Sequence, residues 1–134
     1  MTTTEENKKT VLRFNKEFLE EGKNEVLAEI VAEGFINHTA PTGLPNDVSG
    51  LIMLMQMIHK GFSDLHINIE LQVAENDLVS TVKTIHAKHT GEIMGKPATG
   101  KAITMHVIDM VRLKNGKYTD HWGRNNIMEL IQQL

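Results

Sequence analysis

The sequence predicts an α+β domain, with helices first and an antiparallel strand meander after them. Apolar residues recur at helical spacing as far as Gly61, then alternate with polar ones from Leu65 onward. A run of helices followed by a run of strands is the pattern of a sheet covered on one face. An Asn115-Gly116 pair between two long apolar-rich runs marks the last two strands as a hairpin.

Thr3 with Glu6 three residues on forms a capping box. Val11, Phe14, Phe18 and Leu19 follow at helical spacing, and Gly22 ends the helix. A short second helix starts near Asn24, buries Val26, Leu27, Ile30 and Val31, and stops at Gly34. Phe35–Pro45 is rich in breakers and reads as a loop. Asp47 or Ser49 caps a third helix that carries Leu51, Leu54, Met55 and Ile58 and ends at Gly61. Leu65–Ala74 is the first strand, Glu75-Asn76-Asp77 a turn, and Leu78–His89 the second strand. Thr90–Gly100, with three glycines and Pro97, is a long connection. Ala102–Leu113 and Lys117–Gly123 are the last two strands, and Asn126–Leu134 is a closing helix.

The chain has 134 residues, which fits one domain over 1–134 with a real core. Hydrophobic residues at 40% and charged residues at 23% give a soluble balance. A net charge of −3 with no basic run argues against nucleic-acid binding. The absence of cysteine excludes disulfides, thiol catalysis and Cys-ligated metal centres. The first residues are polar and acidic, unlike a signal or transit segment, and Leu51–Met57 is too short an apolar run to span a bilayer. These features point to a cytoplasmic protein without membrane partners.

The third strand is apolar on both faces, with Met105, Val107, Val111 and Leu113 on one and Ile108 and Met110 on the other. One face lines a core or pocket, and the other calls for a second cover, most simply another copy of the chain. The hairpin register then decides which polar residues meet. A two-residue Asn-Gly turn pairs Val111 with Asp120 and sends His106 to the opposite face from Asp120. A three-residue loop, Lys114-Asn115-Gly116, with a bulge at Gly116, pairs Met110 with Asp120 and Ile108 with Trp122. The second register gives Asp120 polar company, so it is preferred. It places His106, Ile108, Met110, Tyr118, Asp120 and Trp122 on one face, with His121 turned away.

At these residues the chain resembles the SnoaL-like polyketide (ester) cyclases of the nuclear-transport-factor-2-like superfamily. The resemblance runs through Glu33-Gly34-Phe35-Ile36-Asn37-His38, Gly61-Phe62-Ser63-Asp64-Leu65, His89-Thr90-Gly91-Glu92, Met94–Gly100, Ile108-Asp109 and Asp120-His121-Trp122-Gly123. It implies a cone-shaped α+β barrel with N-terminal helices packed on a curved antiparallel sheet. It also implies an aspartate in the last strand as acid/base, helped by a histidine in the preceding strand, and motif matching puts Asp120 and His106 there. His38 falls at the family's pocket rim. Lys96 and Ala98 depart from the more usual residues of the Met94–Gly100 loop, which bears on the substrate rather than the fold.

The expected function is a cofactor-free, cyclase-type lyase or isomerase acting on a small polyketide-like carbonyl compound. A carboxylate desolvated by apolar neighbours becomes a better base. Asp120 would take an acidic C–H proton, His106 would polarise the carbonyl, and the enolate would close a ring in an aldol step. Trp122, Met110, Ile108, Tyr118 and His38 would contact the hydrophobic substrate. The competing readings are a solvent-bonded or Arg-paired Asp120 in a non-catalytic binding protein, and an epoxide-type hydrolase on the same fold. No metal is expected: His86 and His89, three apart on a strand, point to opposite faces. The Met53–Met57 stretch reads as core or a pliable pocket wall, and the glycines at 91, 95 and 100 match no phosphate fingerprint. A homodimer or homotetramer is the expected assembly.

Overall fold

The computed structural model describes residues 2–134. Helix α1, Thr4–Arg13, begins where the Thr3 side chain accepts the Glu6 amide, so the capping box forms. The helix then widens into a π-turn at Phe14–Glu20. There the Glu21 amide reaches back five residues to the Lys16 carbonyl. The extra residue in the turn presents Phe14, Asn15, Phe18 and Leu19 to the interior, where a regular helix would carry a narrower stripe. A 3₁₀ turn at Asn24–Val26 leads into the short α2, Leu27–Ile30.

A strand follows that the sequence does not announce. β1, Val31–Asn37, occupies residues expected to finish a helix and start a loop. It runs parallel to the last strand, pairing Ile36 with Asp120 and Asn37 with His121. Helix α3, Val48–Gly61, starts at Asp47, whose side chain accepts the Ser49 amide. β2 (Phe62–Glu75), β3 (Leu78–His89), β4 (Ala102–Lys114) and β5 (Lys117–Asn125) form the antiparallel meander, and α4, Ile127–Gln133, closes the described chain. The sheet order is β1-β5-β4-β3-β2, a five-strand mixed sheet with the helices packed on one side. The expected α+β cone is therefore present, with one parallel edge strand added to its antiparallel core.

The hairpin register differs from both sequence alternatives. Asn115 and Gly116 both have positive φ, 52° and 78°, and make a two-residue turn that pairs Lys114 with Lys117 and Leu113 with Tyr118. A bulge at Thr119 then shifts the ladder, so Arg112 faces Asp120, Val111 faces His121 and Met110 faces Trp122. The extra residue lies within the strand, beyond the turn. Because of it, Tyr118 and His121, three residues apart, both point inward. Odd-numbered residues of β4 face the helices, with Ile103, Met105, Val111 and Leu113 buried, while Ile108 and Met110 stand exposed on the outer side.

Candidate active site

Between the helices and the inner face of the sheet lies a cavity of about 290 Å³. Its walls are mostly apolar, with Phe14, Phe18, Phe35, Met55, Met105 and Ile131 among them. The polar side chains that reach it are Asn37, Lys83, Asp109, Tyr118, His121 and Asn125. Apolar walls around a few converging polar groups are the usual composition of a small-molecule site.

Lys83 and Asp109 anchor the polar wall. Lys83 Nζ lies 3.1 Å from Asp109 Oδ2, with the two side chains only 4% and 10% exposed. Lys83 also donates to Asn15 Oδ1 at 2.6 Å, and Asn15 in turn donates to the Val11 carbonyl at 2.9 Å. The π-turn thus supplies the second partner of a buried ammonium. Two of the three Lys83 N–H bonds have protein acceptors, which leaves one donor at the cavity wall.

His121 stands on the other side of Asp109. Its Nδ1 is 2.9 Å from Asn37 Oδ1. Asn37 Oδ1 also accepts the Thr39 amide at 3.1 Å, which fixes that oxygen toward His121. An amide oxygen can only accept, so Nδ1 carries the hydrogen and Nε2 is left facing Asp109. The Nε2 to Asp109 Oδ2 distance is 3.8 Å, too long for a hydrogen bond. Gly123 makes this approach possible, since a Cβ there would sit 3.0 Å from His121 Cε1 and 3.5 Å from Asp109 Cβ.

Burial pushes the Asp109 carboxyl up, but the Lys83 ammonium first, and then His121 when its Nε2 carries a proton, more than offset it, so Asp109 lies below the ordinary carboxylate value. Burial, with Asp109 nearby, pushes the Tyr118 phenol well above its ordinary value, so it stays a neutral O–H donor. Tyr118 is held by stacking on Phe14, with ring centroids 4.9 Å apart.

Of the catalytic and substrate-binding residues expected from sequence, Tyr118 alone lines this cavity, while the Met53–Met57 stretch supplies Leu54, Met55 and Met57 to its wall. Asp120, His38, Trp122, Met110, Ile108 and His106 lie on the outer side of the sheet. The expectation that one face gathers all of them around a pocket is corrected at two points. Tyr118 is on the opposite face from Asp120, because the bulge separates them. His106 lies six strand positions from Arg112, the partner of Asp120, or roughly 20 Å along β4. His106 is exposed, and its backbone amide donates to Asn126 Oδ1 at 2.9 Å. Asp120 pairs with His38, at 2.8 Å from its Nε2, and the indole of Trp122 stacks on the His38 ring. The bonds from His38 and then Thr119 hold the Asp120 carboxyl below its ordinary value, so it is not the raised base expected from sequence. Ile108, Met110 and Trp122 line an open groove on this outer side instead. His86 is exposed and bonded to Thr104, and His89 is fully buried, on opposite faces as expected.

Asn15, Lys83, Asp109 and His121 were not singled out as site residues by sequence reasoning, yet a signal was present. Asp109 sits within the row Met105, Val107, Val111, Leu113, and Lys83 within Val79, Thr81, Ile85, Ala87. A charge at an inward strand position is costly unless it is paired, so two such charges on neighbouring strands point to each other.

Comparison with known proteins agrees with this architecture. The SnoaL-like polyketide cyclase family matches over residues 9–134. No curated protein matches the chain significantly. Among solved structures, IdmH of Streptomyces antibioticus, a proposed polyketide cyclase, is 27% identical with a TM-score of 0.81, covering 95% of this chain and 96% of its own. A proposed polyketide cyclase from Bacillus cereus ATCC 10987 is 29% identical with a TM-score of 0.83, covering 96% of this chain and 79% of its own. TsrD of Streptomyces laurentii shares the fold at 18% identity, with a TM-score of 0.85 over 99% of this chain and 97% of its own. The match across nearly the whole chain, on the cone fold described above, places this protein in the SnoaL-like polyketide cyclase family.

Proposed function

We propose that the protein is a cofactor-free acid/base catalyst that removes a proton next to a carbonyl of a small, largely apolar molecule. The enolate then attacks a second carbonyl of the same molecule in an aldol ring closure. The observation that carries this reading is the row of buried Lys83 and Asp109 and half-buried His121 on the wall of an otherwise apolar cavity. His121 Nε2 is the base, because its other nitrogen is committed to Asn37. Asp109 stabilises the imidazolium that forms, and Lys83 and Tyr118 supply donors for the developing oxyanion. An apolar cavity of about 150 Å³ holds benzene, so about 290 Å³ gives room for one or two rings. Leu71, Val73, Ile108 and Met110 leave an exposed apolar strip across the outer face, which a second copy of the chain would cover.

The test is deuterium exchange at the carbon next to the carbonyl of small cyclic monoketones, whose uncatalysed exchange at neutral pH is slow, followed by proton NMR in D₂O. The wild-type protein should accelerate exchange, and His121→Ala should lose about 10²- to 10⁴-fold. Binding of these compounds without any exchange would overturn catalysis in favour of a ligand-binding protein. That second reading draws on the Lys83 pairing of Asp109, which already satisfies the carboxylate.

A further inference from the structure

The outer side of β5 carries a second Asp–His contact, and its residues bracket His121. His38 contacts each of residues 120–122. Its Nε2 is 2.8 Å from Asp120 Oδ2. Its backbone amide donates to the His121 carbonyl at 2.9 Å. Its ring lies flat on Trp122, with centroids 4.7 Å apart and planes 7° apart. Asp120 is held in turn by the Thr119 hydroxyl at 2.8 Å, and that hydroxyl belongs to the bulge residue. Trp122 has the Arg112 guanidinium 5.5 Å from its ring centre. Thr39, next along the chain, accepts the Gly123 amide through its hydroxyl at 2.9 Å.

Strand alternation connects this outer cluster to the cavity. Asn37 and His38 are neighbours on β1 and its continuation, and they face opposite sides. Asp120 and His121 are neighbours on β5 and do the same. Asn37 therefore meets His121 inside, while His38 meets Asp120 outside. β1 is a short edge strand whose pairing to β5 contains an irregularity between Val31 and Ile36. A short, irregular parallel pairing sets register weakly by itself.

We propose that His38 and Asp120 form a clamp on the outer face that fixes the β1–β5 register and thereby aims His121 Nε2 into the cavity, as positioning residues for the reaction. This rests on the assignment of His121 as base. Asp120 is then not a group that touches substrate. Its carboxylate accepts a bond from His38 Nε2–H, and its depressed protonation keeps that acceptor available at neutral pH.

The experiment reads the ring nitrogens of His121 by ¹⁵N NMR alongside the exchange rate. In wild type, Nδ1 should give a protonated-type signal and Nε2 an unprotonated one. Asp120→Ala should move both toward averaged values and lower the exchange rate about tenfold with KM changed less than twofold. Asp120→Asn, which keeps an oxygen acceptor for His38, should restore both readouts. Unchanged His121 signals in Asp120→Ala would overturn the clamp, as would an Asp120→Asn variant as impaired as Asp120→Ala. If Asp120→Ala does not fold, His38→Phe keeps the stacking on Trp122, loses the bond to Asp120, and should give the same displaced signals. A wild-type protein that catalyses no exchange removes the proposed reaction and leaves the nitrogen signals to decide the clamp.

Discussion

The two faces of the sheet around the β4–β5 hairpin carry nearly the same set of side chains, with Lys83 added from β3 and His38 from the end of β1. Inside are Asp109, His121, Lys83 and Tyr118; outside are Asp120, His38, Arg112 and Trp122. Their surroundings differ. Outside, the carboxylate and imidazole touch at 2.8 Å, with the His38 and Asp120 side chains 37% and 22% exposed. Inside, they stop at 3.8 Å, with the His121 and Asp109 side chains 23% and 10% exposed. The outer pair is satisfied and screened by water, so it can hold a strand but has little left to offer a reactant. The inner pair leaves Nε2 without a partner in a poorly screened cavity, where a proton acceptor is useful. Residue type alone does not separate these sites; satisfaction and burial do.

Removing the two carboxylates separates the faces most strongly. Asp109→Ala strands the Lys83 charge 4% exposed, and loss of one partner of a buried pair costs about 3–5 kcal/mol. Asp120→Ala breaks a partly exposed pair, worth under about 1 kcal/mol. Urea unfolding of both variants measures the gap. Replacing both inner partners, Lys83→Met with Asp109→Leu, should recover most of the loss, because the penalty lies in the unpaired charge. Equal losses for Asp109→Ala and Asp120→Ala would erase the distinction between the faces.

Acid unfolding gives a smaller contrast. Asp109 lies below its ordinary carboxylate value in the folded chain. The unfolded carboxyl, near 3.9, then binds protons first as pH falls. Its stabilisation is present above that value and is lost as pH drops through the folded value. Asp120 is shifted in the same direction, chiefly by His38. Unfolding midpoints between pH 6 and pH 2 should fall less steeply in Asp109→Asn than in wild type. The change should be less in Asp120→Asn, where water already screens the charge. A steeper fall in Asp109→Asn would reverse the sign.

Much of the scaffold was legible because it rests on periodicity. The capping box at Thr3, the Asp47 cap, the Gly61 stop and the β3 bounds all follow from local spacing. β1 was not legible. Its residues Val31–Asn37 include Gly34 and lead into a Pro/Gly loop, and what makes them a strand is pairing with β5, more than 80 residues on. The bulge at Thr119 is the second gap. An Asn-Gly pair signals the turn, but nothing in Tyr118-Thr119-Asp120 marks an extra residue inside the strand. Compared with an unbulged two-residue hairpin, that one residue turns His121 rather than Asp120 inward. The preferred register already set Asp120 beside His106, Ile108 and Met110, and the candidate site moved because the helices cover the opposite face, where Asp109 and His121 point.

The smallest expected effect is at Ile108, in the middle of the outer strip and 56% exposed. Ile108→Lys removes no buried contact, so the stability of the isolated protomer should change by at most about 0.5 kcal/mol. Lysine keeps an aliphatic stem over the sheet and puts its charge in water. Ile108 also lies across the sheet from the cavity, so exchange at saturating cyclic ketone should stay within about twofold of wild type. A charge at the centre of a covered apolar face is costly, however. If a second copy seats there, sedimentation should show the variant at the 15.1 kDa of one chain where wild type shows a multiple of it. A loss of exchange with unchanged mass would break the comparison from the other side, because the outer face would then be touching the chemistry directly.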